Sequence, residues 1–201
     1  MTGTAGIILA AGESKRFGQP KQLIQIKGKY LLEWVLHAAL NSKLEKVILV
    51  LGHEYQAIRN RVDERSYGEK LRVVYNKDFR QGQSTSLKSG LSEIRGTFPQ
   101  VMLLLGDQPL VSREMINMLL ERFDQSEKTI GVPVYKGERG NPVIFTQTFY
   151  DELMTIEGDM GARHLIKRHD RDVLKIEIEA PTVFLDVDSP EDLKRMRSFL
   201  R

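Results

Sequence analysis

The chain has 201 residues and a formal net charge of +3, with 30 Lys and Arg residues against 27 Asp and Glu residues. It contains no cysteine, which excludes disulfides, thiolate metal sites and cysteine nucleophiles. No apolar run reaches the ~18 residues of a transmembrane helix, and the N-terminus lacks the pattern of a signal peptide. We therefore expect a cytoplasmic protein. Acidic and basic residues are interspersed along the chain, which argues against nucleic acid binding. No linker-like stretch divides residues 1–201, which are predicted to form one domain.

The first predicted element is a buried strand from Gly6 to Ala10, an apolar run without polar alternation. Small residues follow it at Ala11 and Gly12, and they let the backbone approach a ligand closely. Arg16 and Lys21 place two cations just beyond this turn. Backbone N–H groups with staggered cations suit a nucleoside triphosphate, although a solvated basic loop would explain the same residues.

Two common phosphate-binding motifs are absent from this turn. A P-loop requires Lys-Ser or Lys-Thr directly after its last glycine, whereas Gly18 is followed by Gln19 and Pro20. The dinucleotide-binding pattern G-x-G-x-x-G is missing as well. The stretch therefore indicates a phosphate loop of another class.

The next elements alternate between helix and strand. Apolar residues on more than one face predict a largely buried helix from Tyr30 to Leu40. A strand from Lys46 to Leu51, a helix from Tyr55 to Glu64 and a strand from Leu71 to Tyr75 follow. This alternation predicts a parallel sheet with right-handed crossovers and helices on both faces.

A polar cluster opens the next predicted helix, which runs towards Ile94. Gly82 offers a turn, and Ser84 is the predicted N-cap. The free N–H groups of this helix start are predicted to hold the base or a phosphate of a ligand. Capping alone would explain Ser84, but it does not explain the neighbouring Gln83 and Ser86.

A second apolar strand, from Val101 to Leu105, ends at Gly106 and Asp107. Ligands of open α/β sheets bind at this edge, and Mg²⁺ needs few protein carboxylates because phosphate oxygens and water complete its shell. The alternatives are an aspartate that caps the predicted helix from Val111 to Gln125 and a Walker-B aspartate. The missing P-loop removes the latter, and we favour a metal ligand.

The C-terminal half begins with a strand from Thr129 to Tyr135 and, after a polar turn, an extended segment from Val143 to Phe145. We expect this hairpin to lie across the sheet, and a simple surface hairpin is the alternative. A helix from Thr146 to Thr155 precedes a second helix that ends at Arg168. Asp159 either caps this second helix or belongs to an anion-binding cluster with the cations that follow it.

Two aspartates precede the last predicted helix. Asp186 and Asp188 point to the same side of an extended segment. Ser189 as N-cap and Pro190 as the first helical residue predict the start of the helix. The two carboxylates either stabilise this helix N-terminus or bind a cation.

Together these stretches resemble the nucleotidyltransferases of the molybdenum cofactor cytidylyltransferase type. The family signature Leu-Ala-Ala-Gly-x-Ser-x-Arg-(Met/Phe)-Gly-x-x-Lys is matched from Leu9 to Lys21, with Phe17 where Met is commoner. The strings Gly-Gln-Ser-x-Ser-Leu and Gly-Asp-Gln-Pro-Leu are similar to the second motif and to the metal motif. Gly-Asn-Pro-Val-Ile-Phe, Gly-Asp-x-Gly-Ala-Arg and Asp-x-Asp-Ser-Pro-Glu-Asp resemble the acceptor-side motifs and the last motif.

The resemblance implies an α/β fold, a three-layer Rossmann-like nucleotidyltransferase (GT-A-like) with a mostly parallel central sheet. The N-terminal half would bind the nucleotide and the C-terminal half the acceptor. The implied catalytic residues are Arg16, Lys21 and Asp107, and the implied metal ligands are Asp107 and Asp188. The implied nucleotide-binding residues are Leu9, Ala10, Ala11, Gly12, Arg16, Lys21, Gln83, Ser84, Ser86 and Gly106, and the implied acceptor-binding residues are Gln108, Asn141, Asp159 and Arg163.

The implied reaction is transfer of CMP from CTP to the terminal phosphate of molybdopterin cofactor, with Mg²⁺ or Mn²⁺ as the metal. A molybdenum hydroxylase or its chaperone is the implied protein partner. Guanylyltransferase relatives typically carry glycine at the position of Ala11, which favours CTP here. The alternatives are GTP as the donor, a sugar phosphate or polyol phosphate as the acceptor, and a non-catalytic nucleotide-binding regulator. Two carboxylates from distant segments argue against the regulator.

Overall fold

The computed structural model describes residues 3–62, 64–179 and 185–199, without the side chain of residue 65. Within these residues the strands are β1 (Thr4–Ala10), β2 (Gln25–Ile26), β3 (Lys29–Tyr30), β4 (Lys46–Leu51), β5 (Leu71–Tyr75), β6 (Gln100–Leu105), β7 (Ile130–Tyr135), β8 (Glu138–Arg139), β9 (Val143–Thr146) and β10 (Val173–Glu177). The α-helices are α1 (Leu31–Leu40), α2 (Tyr55–Arg59), α3 (Glu64–Tyr67), α4 (Gln83–Ser92), α5 (Arg113–Asp124), α6 (Tyr150–Thr155), α7 (Arg163–Arg168) and α8 (Pro190–Phe199).

One mixed sheet organises the fold. Its strand order is β10-β7-β9-β6-β1-β4-β5, with β8 paired to β7 at one end. β1 lies at the centre and pairs in parallel with β4 and β6. The strands that were predicted in the N-terminal half are therefore confirmed, and β4 and β5 have the predicted bounds.

Helices cover both faces of the sheet, as expected for buried parallel strands. Neighbouring residues of β1 show the alternation, because Ile7 and Ile8 belong to two different clusters of buried side chains. The cluster that contains Ile8 includes Leu36 of α1 and Phe123 of α5. The cluster that contains Ile7 includes side chains of α4, α6 and α7. The predicted mixed α/β fold with a mostly parallel sheet and helices on either side is confirmed.

A third cluster of buried residues anchors the C-terminal segment to the β2–β3 hairpin. Ile26, Leu31, Val187 and Met196 are its buried members. The backbone N–H of Val187 also donates to the carbonyl of Asp107 at 3.0 Å. Asp188 is thereby held beside the end of β6, although 81 residues separate the two aspartates in the sequence.

The predictions for the segments after β4 and after β7 were wrong. The single helix predicted from Tyr55 to Glu64 is not continuous, because α2 ends at Arg59 and α3 begins at Glu64. The segment from Val143 does not lie across the sheet, since β9 is inserted antiparallel between β6 and β7. The apolar pattern of β9 indicates that it is buried, but it does not show that β6 is one of its partners. No described helix is long and apolar enough to cross a bilayer.

Candidate active site

A cavity of about 790 Å³ opens beside the C-terminal ends of β1 and β6. This is the edge of an open α/β sheet at which ligands bind. Its wall contains most of the residues that were predicted to bind the nucleotide, which are Leu9, Ala10, Ala11, Gly12, Arg16, Lys21, Gln83, Ser86 and Gly106, and both predicted metal ligands, Asp107 and Asp188. Ser84 and Gln108 are not among the lining residues.

The loop after β1 presents free backbone donors. In the part of the chain that the structure describes, the N–H groups of residues 12–16 donate to no protein acceptor. Ser14 adopts a left-handed backbone conformation with φ of +53°, and such a reversal lets successive N–H groups form an anion-binding concavity. The loop is therefore built to receive an anion.

Lys21 joins the two aspartates that were predicted to bind a metal. Its Nζ donates to Asp107 Oδ2 at 2.6 Å and to Asp188 Oδ1 at 2.8 Å. Arg16 Nη1 lies 3.8 Å from Asp188 Oδ2, and the Arg16 side chain is 74 % exposed. The carboxylates from two distant segments thus meet around one cationic group, whereas Arg16 is free to move towards a ligand.

The ionisation of this cluster follows from burial and charge. Burial opposes the ammonium form of Lys21, but the charges and hydrogen bonds of Asp107 and Asp188 outweigh it, so the pKa of Lys21 is raised. The pKa of Asp186 is also raised, first by burial and then by the negative charge of Asp107. Lys21 therefore stays positively charged at neutral pH and offsets the carboxylates.

The arrangement of the aspartates fits a divalent cation. Asp107 Oδ1 is buried and has no hydrogen-bond partner in the part of the chain that the structure describes, an unusual condition for a carboxylate oxygen. Asp107 Oδ2 and Asp188 Oδ1 contact the same ammonium group, so they are close enough to share one cation. Three His, Asp or Glu side chains do not meet in metal-ligand geometry among the described residues, and Mg²⁺ needs only one or two carboxylates when a bound triphosphate supplies oxygens.

Gln108 has a different place from the one predicted. It is 1 % exposed, and its Nε2 donates to Asp186 Oδ1 at 2.6 Å. A residue this buried cannot be a main contact to an acceptor. Its amide instead supports the segment that carries Asp186 and Asp188.

The start of α4 also differs from the prediction. Gly82 is the N-cap, whereas Ser84 lies inside the helix and is 2 % exposed. Asp159 Oδ1 accepts a hydrogen bond from the Gln83 N–H at 3.1 Å, and the Gly158 carbonyl accepts one from the Ser84 N–H at 3.0 Å. The predicted binding of a ligand by these N–H groups is therefore wrong, because residues 158 and 159 already occupy the first two of them.

Gly82 makes the closest backbone approach at this junction. It has φ of +112°, and a Cβ built on it would lie 2.4 Å from the carbonyl carbon of Gly158. We expect Gly82→Ala to lower the free energy of unfolding by about 3 kcal/mol, since the backbone of residue 158 must move. Gly96→Ala is the matched control: φ is +82° there and no atom of another described segment lies within 4 Å of an added Cβ, so only about 1 kcal/mol of backbone strain is expected. The free energies of unfolding are measured by urea denaturation. If Gly82→Ala and Gly96→Ala lower this free energy equally, the contact between residues 82 and 158 does not constrain the fold.

A second cavity of about 780 Å³ adjoins the first, and Leu9, Gln83, Leu105 and Asp159 line both. Three of the residues that were predicted to bind the acceptor, Asn141, Asp159 and Arg163, are part of its wall. Its other lining residues include apolar side chains and cations, which are Leu87, Leu103, Val132, Val143, Ile166, Arg139 and Lys167. Asp159 thus contributes to this wall and caps α4 at the same time.

Gln22 is a residue of the site that the sequence analysis missed. It is 3 % exposed and contacts the backbone of the loop after β1. Glutamine next to a basic residue in a polar stretch carries no signal of burial. Only its contacts, which reach back 12 residues to Ala10, distinguish it from the exposed Gln25.

Comparison with known proteins identifies the family of the chain. Residues 6–173 match the family model described as the MobA-like NTP transferase domain. The chain is 27% identical to the purine catabolism protein PucB of Bacillus subtilis over 96% of this chain and 95% of that protein. It is 24% identical to a probable molybdenum cofactor guanylyltransferase of Thermococcus sibiricus, with 98% of each chain covered. It is also 24% identical to the molybdenum cofactor cytidylyltransferase of Escherichia coli, over 92% and 91% of the two chains.

Solved structures share the whole fold. The crystal structure of Rv0371c from Mycobacterium tuberculosis superposes with a TM-score of 0.84 at 28% identity, over 98% of this chain and 99% of that one. The complex of the same protein with manganese gives a TM-score of 0.79 at 28% identity, over 99% and 100%. The family model covers most of the chain and includes the anion-binding loop, Lys21 and Asp107. The chain therefore belongs to the MobA-like NTP transferase domain family, and it is a nucleotidyltransferase.

Proposed function

We propose that this nucleotidyltransferase moves CMP from CTP to the terminal phosphate of molybdopterin cofactor and releases pyrophosphate. One observation carries the proposal: a loop of free N–H groups, Lys21, Asp107 and Asp188 meet in one cavity. This cavity adjoins a second one with an apolar floor. A triphosphate in the first cavity would face a phosphate-bearing acceptor in the second.

The residues of the first cavity have separate tasks in this reaction. The N–H groups of residues 12–16 and the side chains of Arg16 and Lys21 would hold the triphosphate. Asp107 and Asp188 would hold a divalent cation, which when bound neutralises charge on the phosphate oxygens. Lys21, which contacts both aspartates, would exchange this contact for triphosphate oxygens. The phosphate of the acceptor is itself the nucleophile, so positioning and charge stabilisation suffice for catalysis.

The second cavity has a mixed wall that suits an acceptor with both a flat apolar part and polar groups. Apolar side chains such as Leu103 and Val143 line it together with the polar Asn141 and Asp159. A sugar phosphate or a polyol phosphate is the alternative acceptor. Arg163 and Lys167 line the same cavity, and they carry the charge needed by an anionic group of the acceptor.

The choice of CTP rests on Ala11, which is buried at the end of β1 and lines the first cavity. Its methyl group occupies space that a glycine would leave open, and a pyrimidine is smaller than a purine. A relative named as a cytidylyltransferase is 24% identical to this chain, and two named as probable guanylyltransferases are 24% and 28% identical. GTP is the alternative donor.

The test is incubation of the protein with Mg²⁺, molybdopterin cofactor and equimolar CTP and GTP, with mass spectrometry of the dinucleotide products. The cytosine dinucleotide is the expected product, with pyrophosphate released in equal amount. Ala11→Gly is expected to shift the product ratio towards guanine by about 10-fold, within the range of discrimination that one methyl group gives. A wild-type protein that uses GTP as readily as CTP would overturn the cytidylyl assignment, and a protein that releases no pyrophosphate with any acceptor would overturn the transfer.

A further inference from the structure

Gln22 lies under the anion-binding loop and contacts it at three points. Its Nε2 donates to the Ala10 carbonyl at 2.9 Å and, at 3.4 Å, to the Gly12 carbonyl. Its Oε1 accepts a hydrogen bond from Ser14 Oγ at 3.4 Å. Gln22 is almost entirely buried, so these contacts replace those it would have made with water.

The two carbonyl contacts fix the direction of two N–H groups. In a planar trans peptide the C=O and the following N–H point in opposite directions. The Gln22 amide binds the carbonyl oxygens of Ala10 and Gly12. The N–H groups of the following residues, Ala11 and Glu13, therefore point away from Gln22. It also covers two carbonyl dipoles whose negative ends would repel a phosphate.

The contact with Ser14 extends this support to Lys21. Ser14 Oγ accepts a hydrogen bond from the backbone N–H of Lys21 at 3.1 Å, and Lys21 extends to Asp107 and Asp188. The side chain of Gln22 thus connects the end of β1, the loop and the short 3₁₀ helix Lys21–Leu23, in which it lies. The buried amide of Gln22 therefore fixes the position of the loop relative to Lys21.

We infer that Gln22 is a positioning residue for the triphosphate: it holds the loop after β1 in its anion-binding form without being a main contact of the nucleotide. The inference depends on the proposed nucleotide site. It predicts that substitutions at Gln22 raise the KM for the nucleotide more than they lower kcat, because the triphosphate is held in the ground state and in the transition state alike.

The experiment measures binding of inorganic tripolyphosphate in the presence of Mg²⁺ by calorimetry, which needs neither base nor acceptor. Gln22→Glu keeps the shape but cannot donate to the two carbonyls, and Gln22→Met keeps the packing without any hydrogen bond. We expect each to weaken binding by about 10-fold, as for the loss of hydrogen bonds by buried groups. Gln25→Glu, the same change at an exposed position of β2, is the control and is expected to bind like the wild type.

Ser14→Ala provides a variant in which no buried side chain is altered. It removes the connection between Gln22 and Lys21 together with one hydroxyl of the cavity wall, and a loss of about 3-fold in affinity is expected. Wild-type affinity in the Ser14 and Gln22 variants would overturn the inference, as would an equal loss in Gln25→Glu. Failure of the wild-type protein itself to bind tripolyphosphate would instead overturn the proposed nucleotide site, so the two failures are distinguishable.

Discussion

Asp107→Asn is expected to reduce nucleotidyl transfer by at least about 100-fold while the protein remains folded. The substitution keeps the shape of the side chain but removes one of the two carboxylate charges that face Lys21. A divalent cation held by phosphates and two carboxylates would lose a ligand charge, which costs several kcal/mol in the transition state. The measurement is the rate of pyrophosphate release as a function of Mg²⁺ concentration.

The same variant should leave the fold intact because Asp107 also has unfavourable interactions. Its Oδ1 is buried without a hydrogen-bond partner among the described residues, and its charge adds to burial in raising the pKa of the neighbouring Asp186. Asp124→Asn is the matched control, since Asp124 is an exposed carboxylate at the end of α5, outside the cavity. A wild-type rate for Asp107→Asn at both limiting and saturating Mg²⁺ would contradict the assignment of Asp107 as a metal ligand.

Lys21→Met is expected to have opposite effects on two ligands. Binding of the triphosphate should weaken by about 10- to 100-fold, because a partly buried cation that lines the same cavity as the anion-binding loop is lost. Binding of Mn²⁺ without nucleotide should become tighter, since Asp107 and Asp188 are released from the ammonium group that they both contact. Calorimetry with tripolyphosphate and electron paramagnetic resonance with Mn²⁺ measure the two effects separately.

Arg16→Ala is expected to weaken triphosphate binding and to change Mn²⁺ affinity less than Lys21→Met does, because Arg16 is exposed and 3.8 Å from Asp188.

Lys43→Met is the control for Lys21→Met. Lys43 is also paired with a carboxylate, Glu121, at 2.7 Å, but this exposed pair lies outside the cavity. If Lys21→Met lowers the affinity for both ligands, Lys21 supports the metal site and does not compete with the metal.

The fold class and the positions of the main motifs could be predicted from the sequence. Apolar runs without alternation predicted β1, β4 and β6, because strands buried on both faces need apolar side chains at every position. The ends of two of these strands placed the loop after Ala10 and Asp107 at one edge of the sheet. Signals of this kind are local: each depends on a few consecutive residues, so it can be recognised without the rest of the chain.

The contacts between distant residues are visible only in the folded chain. Lys21 contacts Asp107 and Asp188, and Asp159 caps α4, across separations of 76 to 167 residues that no periodicity encodes. The burial of Gln22 could not be predicted from the sequence either, since a polar side chain is buried only where neighbouring carbonyls can accept its hydrogen bonds. These contacts arise when the sheet brings the ends of β1 and β6 together and the third hydrophobic cluster holds the segment of Asp188 against them. Chain sequence therefore specifies the parts of the site, and packing of the sheet specifies their arrangement.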